Sequence, residues 1–212
     1  MDTTEEIAAI HREVGTREVG GERARRVLLR RAYDAPAERV WAAVTDPERI
    51  GRWFLPVGGD LRQGGHYQLE GNAGGGILRC EAPSLLRIGW VMGDAAAFSE
   101  VELRLTRQGA ERTVFELDHV AVVPPAMWEQ YGPGAVGVGW DLTLLGLGLF
   151  LAGRPVAPAE AAAWQDTDEA RDFITRSSAA WGAAHLAAGA GPEAAAASVA
   201  ATTAFYAPPR PA

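Results

Sequence analysis

One segment limits what this chain can fold into more than any other. Residues 134–153 read GAVGVGWDLTLLGLGLFLAG, a run long and apolar enough to span a bilayer. Asp141 sits near its middle, no basic flank precedes it, and no second run of this kind exists. A helix apolar on all sides is also what the buried centre of a water-soluble fold requires. A buried core helix is therefore expected, and no membrane span. On this reading Trp140, Leu144, Leu147 and Leu151 share one stripe.

What precedes the run supplies something for such a helix to lie against. From Gly58 to His119 the texture is that of strands separated by turn residues. HYQLE follows Gly64-Gly65, ILRCE follows the glycine-rich loop 71–76, and LLRIGWVM follows Ala82-Pro83-Ser84. SEVELRLTRQ and ERTVFELDH come next, joined at Gly109-Ala110. Val101, Leu103 and Leu105 alternate with Glu102, Arg104 and Thr106, as in an antiparallel sheet with one buried face. An earlier strand is expected over 23–34, followed by two short helices. Asp34 and Asp46 are the expected caps, with Pro36 and Pro47 in the opening turns. Residues 1–22 read as a partly helical arm ending at Gly20-Gly21. Residues 153–212 read as a helical extension broken by Pro155 and Pro158. Its first helix is expected near Asp166, with Glu169 completing a capping box, and its second from Pro192 to Pro208. Too few large side chains lie there for a separate core, so the extension is expected to pack on the domain or to pair two subunits as a homodimer.

The expected class is α+β: a curved antiparallel sheet wrapped around a long helix, with two short helices after strand 1 closing one end. A straight helix and a curved sheet leave space between them. Trp53, Trp90, Trp128 and Trp140 come from four elements expected to surround it. The expected cavity wall comprises Trp53, Phe54, Leu69, Leu78, Trp90, Phe98, Leu103, Phe115, Leu117, Trp140 and Leu144. His66 and His119 are placed to orient a polar end of a small hydrophobic or aromatic molecule.

Other chemistries find little support. The net charge is −7 and every cation is arginine, which argues against nucleic acid as a partner and excludes a Schiff-base or P-loop lysine. No two of His11, His66, His119 and His185 have a metal-ligand spacing, so neither metal nor cofactor is expected. The single Cys80 permits no internal disulfide, and the acidic start MDTTEEIAAIHREV lacks the features of a signal peptide. A cytoplasmic location is expected. His119 is the one candidate for acid–base chemistry.

Several motifs recur in a telling order: Tyr33-Asp34-Ala35-Pro36 with Val40-Trp41, Thr45-Asp46-Pro47 with Trp53-Phe54, Gly64-Gly65, Trp90, His119 and Gly139-Trp140-Asp141. Over about residues 23–152 the chain resembles the SRPBCC (START/polyketide-cyclase) superfamily. It is most similar to the bacterial branch related to the activator of the ninety-kilodalton heat-shock-protein ATPase. The resemblance implies a helix-grip fold with an internal cavity. It leaves three activities open: ligand binding, a cyclase or hydro-lyase using His119, and a chaperone-interacting stress-response module.

Overall fold

The computed structural model describes residues 2–93, 97–154, 156 and 158–209. Eight antiparallel strands form one sheet in the order β1-β2-β8-β7-β6-β5-β4-β3. They are β1 (Ile10–Val19), β2 (Glu22–Tyr33), β3 (Val57–Gly59), β4 (His66–Leu69), β5 (Gly74–Glu81), β6 (Leu85–Gly89), β7 (Ser99–Arg107) and β8 (Thr113–Ala121). The helices are α1 (Thr3–Ala8), α2 (Ala37–Thr45), α3 (Pro47–Ile50), α4 (Pro125–Tyr131), α5 (Gly134–Leu151), α6 (Pro158–Gln165), α7 (Asp168–Ala187) and α8 (Pro192–Tyr206).

The helix-grip architecture is as expected, with one strand more at its start. Within the supposed arm only Thr3–Ala8 is helical, and Ile10–Val19 pair along their whole length with β2. The two short helices therefore follow the second strand. Gly20 and Gly21 join β1 to β2 with φ of 59° and 85°, the two positive angles that a tight hairpin turn with the strands' own twist requires.

Strand parity sorts β2 and β8 into two faces. Val27, Leu29, Phe115 and Leu117 point to the helix side and are buried in the main core. On the other face charges form a lattice: Arg26 with Asp118 at 2.9 Å, and Arg30 with Glu116 and with Glu13 at 3.2 Å. Leu28 is buried on that same face, opposite Glu13 and Asp118.

Of the two expected caps only Asp46 acts, accepting from the N–H groups of Glu48 and Arg49 at the start of α3. Pro36 occupies the corresponding position of α2, and Asp34 instead faces Arg112 at 3.4 Å. At α7 the cap is Thr167, whose hydroxyl accepts from the Ala170 N–H at 3.1 Å. Asp166 is not the cap because Thr167 has the extended backbone a cap needs. Glu169 accepts from the Trp164 indole instead of closing a capping box. Pro155 lies outside the described residues.

Helix α5 explains its own composition. It is the one helix among the described residues long and apolar enough to cross a membrane, and half of it is buried inside the protein. Trp140, Leu144, Leu147 and Leu151 face the sheet. Leu145, on another side, packs with Ile7 and Phe173. Covered on two sides, the helix cannot afford a polar face.

Gly137 makes the second contact close. A Cβ there would lie 2.3 Å from Cε2 of the fully buried Trp181. Alanine normally stabilises a helix interior by up to about 1 kcal/mol over glycine. Here Gly137→Ala is expected to destabilise by about 1–3 kcal/mol through overpacking. Chemical denaturation measures the sign, and a stabilised variant would mean that α7 does not seat on α5 as described.

Candidate ligand cavity

A cavity of about 140 Å³ lies between α5 and the concave face of the sheet. Its lining comes from every layer. Trp140, Thr143, Leu144 and Leu147 come from α5. Phe115 and Leu117 come from β8, Val101 and Leu103 from β7, Leu86 and Ile88 from β6, and Tyr67 and Leu69 from β4. Val44, Ile50, Trp53, Phe54 and Val57, from the α2–α3 end, close one side. The exposed side chains of Leu61 and Cys80 mark where the lining reaches the surface. An apolar hollow of this size admits a guest of about one aromatic ring.

Of the thirteen residues expected at the cavity, eleven in its wall and two histidines beside it, nine line it: Trp53, Phe54, Leu69, Trp90, Leu103, Phe115, Leu117, Trp140 and Leu144. Four do not. His66 is exposed, because Tyr67 and Leu69 occupy the inward positions of β4. Leu78 is 47% exposed, Ile77 taking the inward place beside a bulge in β5. Phe98 is half-buried outside the lining, while Ser99 and Val101 turn inward. Tyr67, Ile77 and Val101 are the residues that strand parity alone would have found in their place. Trp128 also departs from the expected group and packs against Arg25 and His185.

His119 is the fourth. It is buried behind Trp140 and outside the lining. The Trp140 indole Nε1–H donates to its Nδ1 at 3.1 Å, which places the ring proton on Nε2. That N–H then donates to the Ser99 hydroxyl oxygen at 3.0 Å. Burial lowers its pKa from 6.5 to about 4, so the ring is neutral. His119 thus holds Trp140 by its polar edge. The indole stands edge-on to His119, with ring centres 5.8 Å apart, and lies 4.8 Å from Trp90 at a 51° tilt.

The same economy runs round the wall. The Tyr67 hydroxyl donates to the Gly89 carbonyl at 2.8 Å, and the Trp53 indole to that of Ala43 at 2.9 Å. The Thr45 and Thr143 hydroxyls donate to the carbonyls of Trp41 and Gly139, both at 2.8 Å. Burial raises the Tyr67 phenol well above its ordinary range, so it stays neutral. Among the described residues, the Cys80 thiol and the Trp90 indole N–H of the lining have no hydrogen-bond acceptor.

A curved sheet gripping a long helix over an apolar hollow defines a helix-grip protein of the SRPBCC superfamily, a fold family known for ligand binding. Within it, the chain belongs to the family described as activator of Hsp90 ATPase homolog 1-like protein, which it matches over residues 34–151. The crystal structure of CalU16 from Micromonospora echinospora is similar at 40% identity and a TM-score of 0.66, covering 83% of this chain and 98% of that one. DynU16, from the dynemicin biosynthetic locus, shares the fold at 24% identity and a TM-score of 0.54, over 61% of this chain and 48% of its own. So does an HSP90 activator from Plasmodium falciparum, at 20% identity and a TM-score of 0.53, over 61% of this chain and 97% of its own. No curated protein matches the chain.

Proposed function

We propose that this protein binds a small hydrophobic or aromatic molecule in the cavity between the sheet and α5, and does so in the cytoplasm. One observation carries the reading: the hollow is walled by rings and aliphatic groups, and nearly every polar group in that wall is spent on another part of the protein. A guest would meet apolar surface and few directional partners. Each square ångström of apolar surface removed from water contributes about 25 cal/mol before the costs of association are subtracted.

The His119 geometry supports binding over the cyclase or hydro-lyase alternative. A general acid or base needs a free position facing substrate, and both ring nitrogens are occupied behind Trp140. The chaperone-interacting alternative calls for a filled interior, whereas a ring-sized space is present.

Calorimetric titration with benzene and with toluene, each the size of one ring, tests the reading. Saturable binding is expected, and Trp90→Ala is expected to weaken it about tenfold or more by removing one ring of the tilted Trp90–Trp140 pair. A folded Trp90→Ala protein that binds either probe unchanged would rule out this wall. Leu103→Phe, which fills the space from the sheet side, is expected to exclude both probes.

A further inference from the structure

A second hollow, of about 300 Å³, lies between the β1–β2 hairpin and the C-terminal end of α7. Its walls carry Arg23, Arg25, Trp128 and His185, together with Thr16 and the turn at 188–190, and no acidic side chain.

The arginines of β2 divide sharply. Arg26, Arg30 and Arg31 each hold a carboxylate, that of Asp118, Glu116 and Glu6 respectively. Arg23 and Arg25 hold none among the described residues. Glu18 stands opposite Arg23 in the strand register yet forms no ion pair with it. The Arg25 guanidinium lies over the Trp128 ring, 4.4 Å from its centre. Trp128 in turn meets His185 edge-on at 5.5 Å. The His185 Nδ1 is buried on the side of Gly132 and Ser198, neither of which lines the hollow.

These basic groups disfavour one another. Burial and then Arg23 lower the pKa of Arg25; burial and then Arg25 lower that of His185. The end of α7 is not the missing partner. Its carbonyls are taken within the chain, Leu186 by the Gly189 N–H at 2.9 Å and His185 by the Ala190 N–H at 3.1 Å. Neither arginine bonds to that helix end. What the niche lacks is a counter-charge of a size that fits it.

We propose that this niche is a second binding site, for the phosphate or carboxylate group of a small molecule held between Arg23 and Arg25 with His185 beside it. The site is independent of the apolar cavity and of the function proposed for it.

The test is calorimetric titration of the full chain with inorganic phosphate and, separately, with acetate at constant ionic strength. Two-dimensional NMR of the Trp128 indole N–H, assigned through Trp128→Phe, accompanies it. Saturable binding that moves the Trp128 resonance is expected. The Arg23→Gln/Arg25→Gln variant is expected to bind about tenfold or more weakly, with unchanged far-ultraviolet circular dichroism. Phosphate binding the tighter would assign a phosphate group, and acetate the tighter a carboxylate. No saturable binding of either anion to the native chain, or equal binding by the folded double variant, overturns the site.

Discussion

Asp141→Ala is expected to cost about 3–5 kcal/mol of folding stability, the range for removing one partner of a buried ion pair. Asp141 is fully buried in the middle of α5. Its carboxylate accepts from the Arg12 guanidinium at 2.9 Å, from the Ser177 hydroxyl at 2.5 Å and from the Trp181 indole at 3.1 Å. Arg12 is almost as buried, and its remaining donors reach the carbonyls of Ile7 and Ile10. One carboxylate therefore ties β1, α5 and α7 together. Removing it leaves a guanidinium inside the protein with no counter-charge. The double variant Arg12→Met/Asp141→Leu removes both charges and is expected to recover most of the loss, since a desolvated pair contributes little over apolar residues of like volume. Urea denaturation of the two variants checks both parts. A double variant no more stable than Asp141→Ala would mean that the pair is not what holds the three elements.

The second large effect is a pH dependence. His119 stays neutral in the folded chain down to about pH 4, while an unfolded histidine takes up a proton near 6.5. Below 6.5 the unfolded state therefore binds more protons, and stability falls as pH falls toward 4. The contribution is about 3 kcal/mol, fully present above pH 6.5 and gone below about 4. His119→Gln removes this titration. The stability difference between native protein and variant, measured by denaturation across that window, is expected to shrink as the pH is lowered. A difference independent of pH would mean that His119 is not buried neutral behind Trp140.

How much of this was legible in the sequence follows from which contacts are local. The meander, the long helix and the convergence of Trp53, Trp90 and Trp140 could be read because alternation and helical periodicity are local signals. The misplaced wall residues break that same alternation. His66 and Leu69 sit three apart on one strand, and so on opposite faces. Phe98 has the wrong parity for a face that contains Val101 and Leu103. Leu78 is harder to place, because Ile77 and Leu78 are adjacent, equally apolar, and beside a bulge.

Strand β1 was hidden for a different reason. Its inward positions include Arg12 and Thr16, so no apolar alternation marks it. Arg12 is tolerated inside only because Asp141, far away in sequence, reaches it. The same distance explains Trp128. Nothing near it in sequence shows that Arg25 and His185, from opposite ends of the chain, will enclose its ring.

The central claim is that the space under α5 is hollow and receives an apolar guest. NMR titration of the methyl and tryptophan indole resonances with benzene tests it most directly. Progressive, saturable shifts are predicted at Trp90, Trp140, Leu117 and Leu144, with the charged outer face of the sheet unmoved. Saturation confined to surface residues, or no shift at those four, would contradict it.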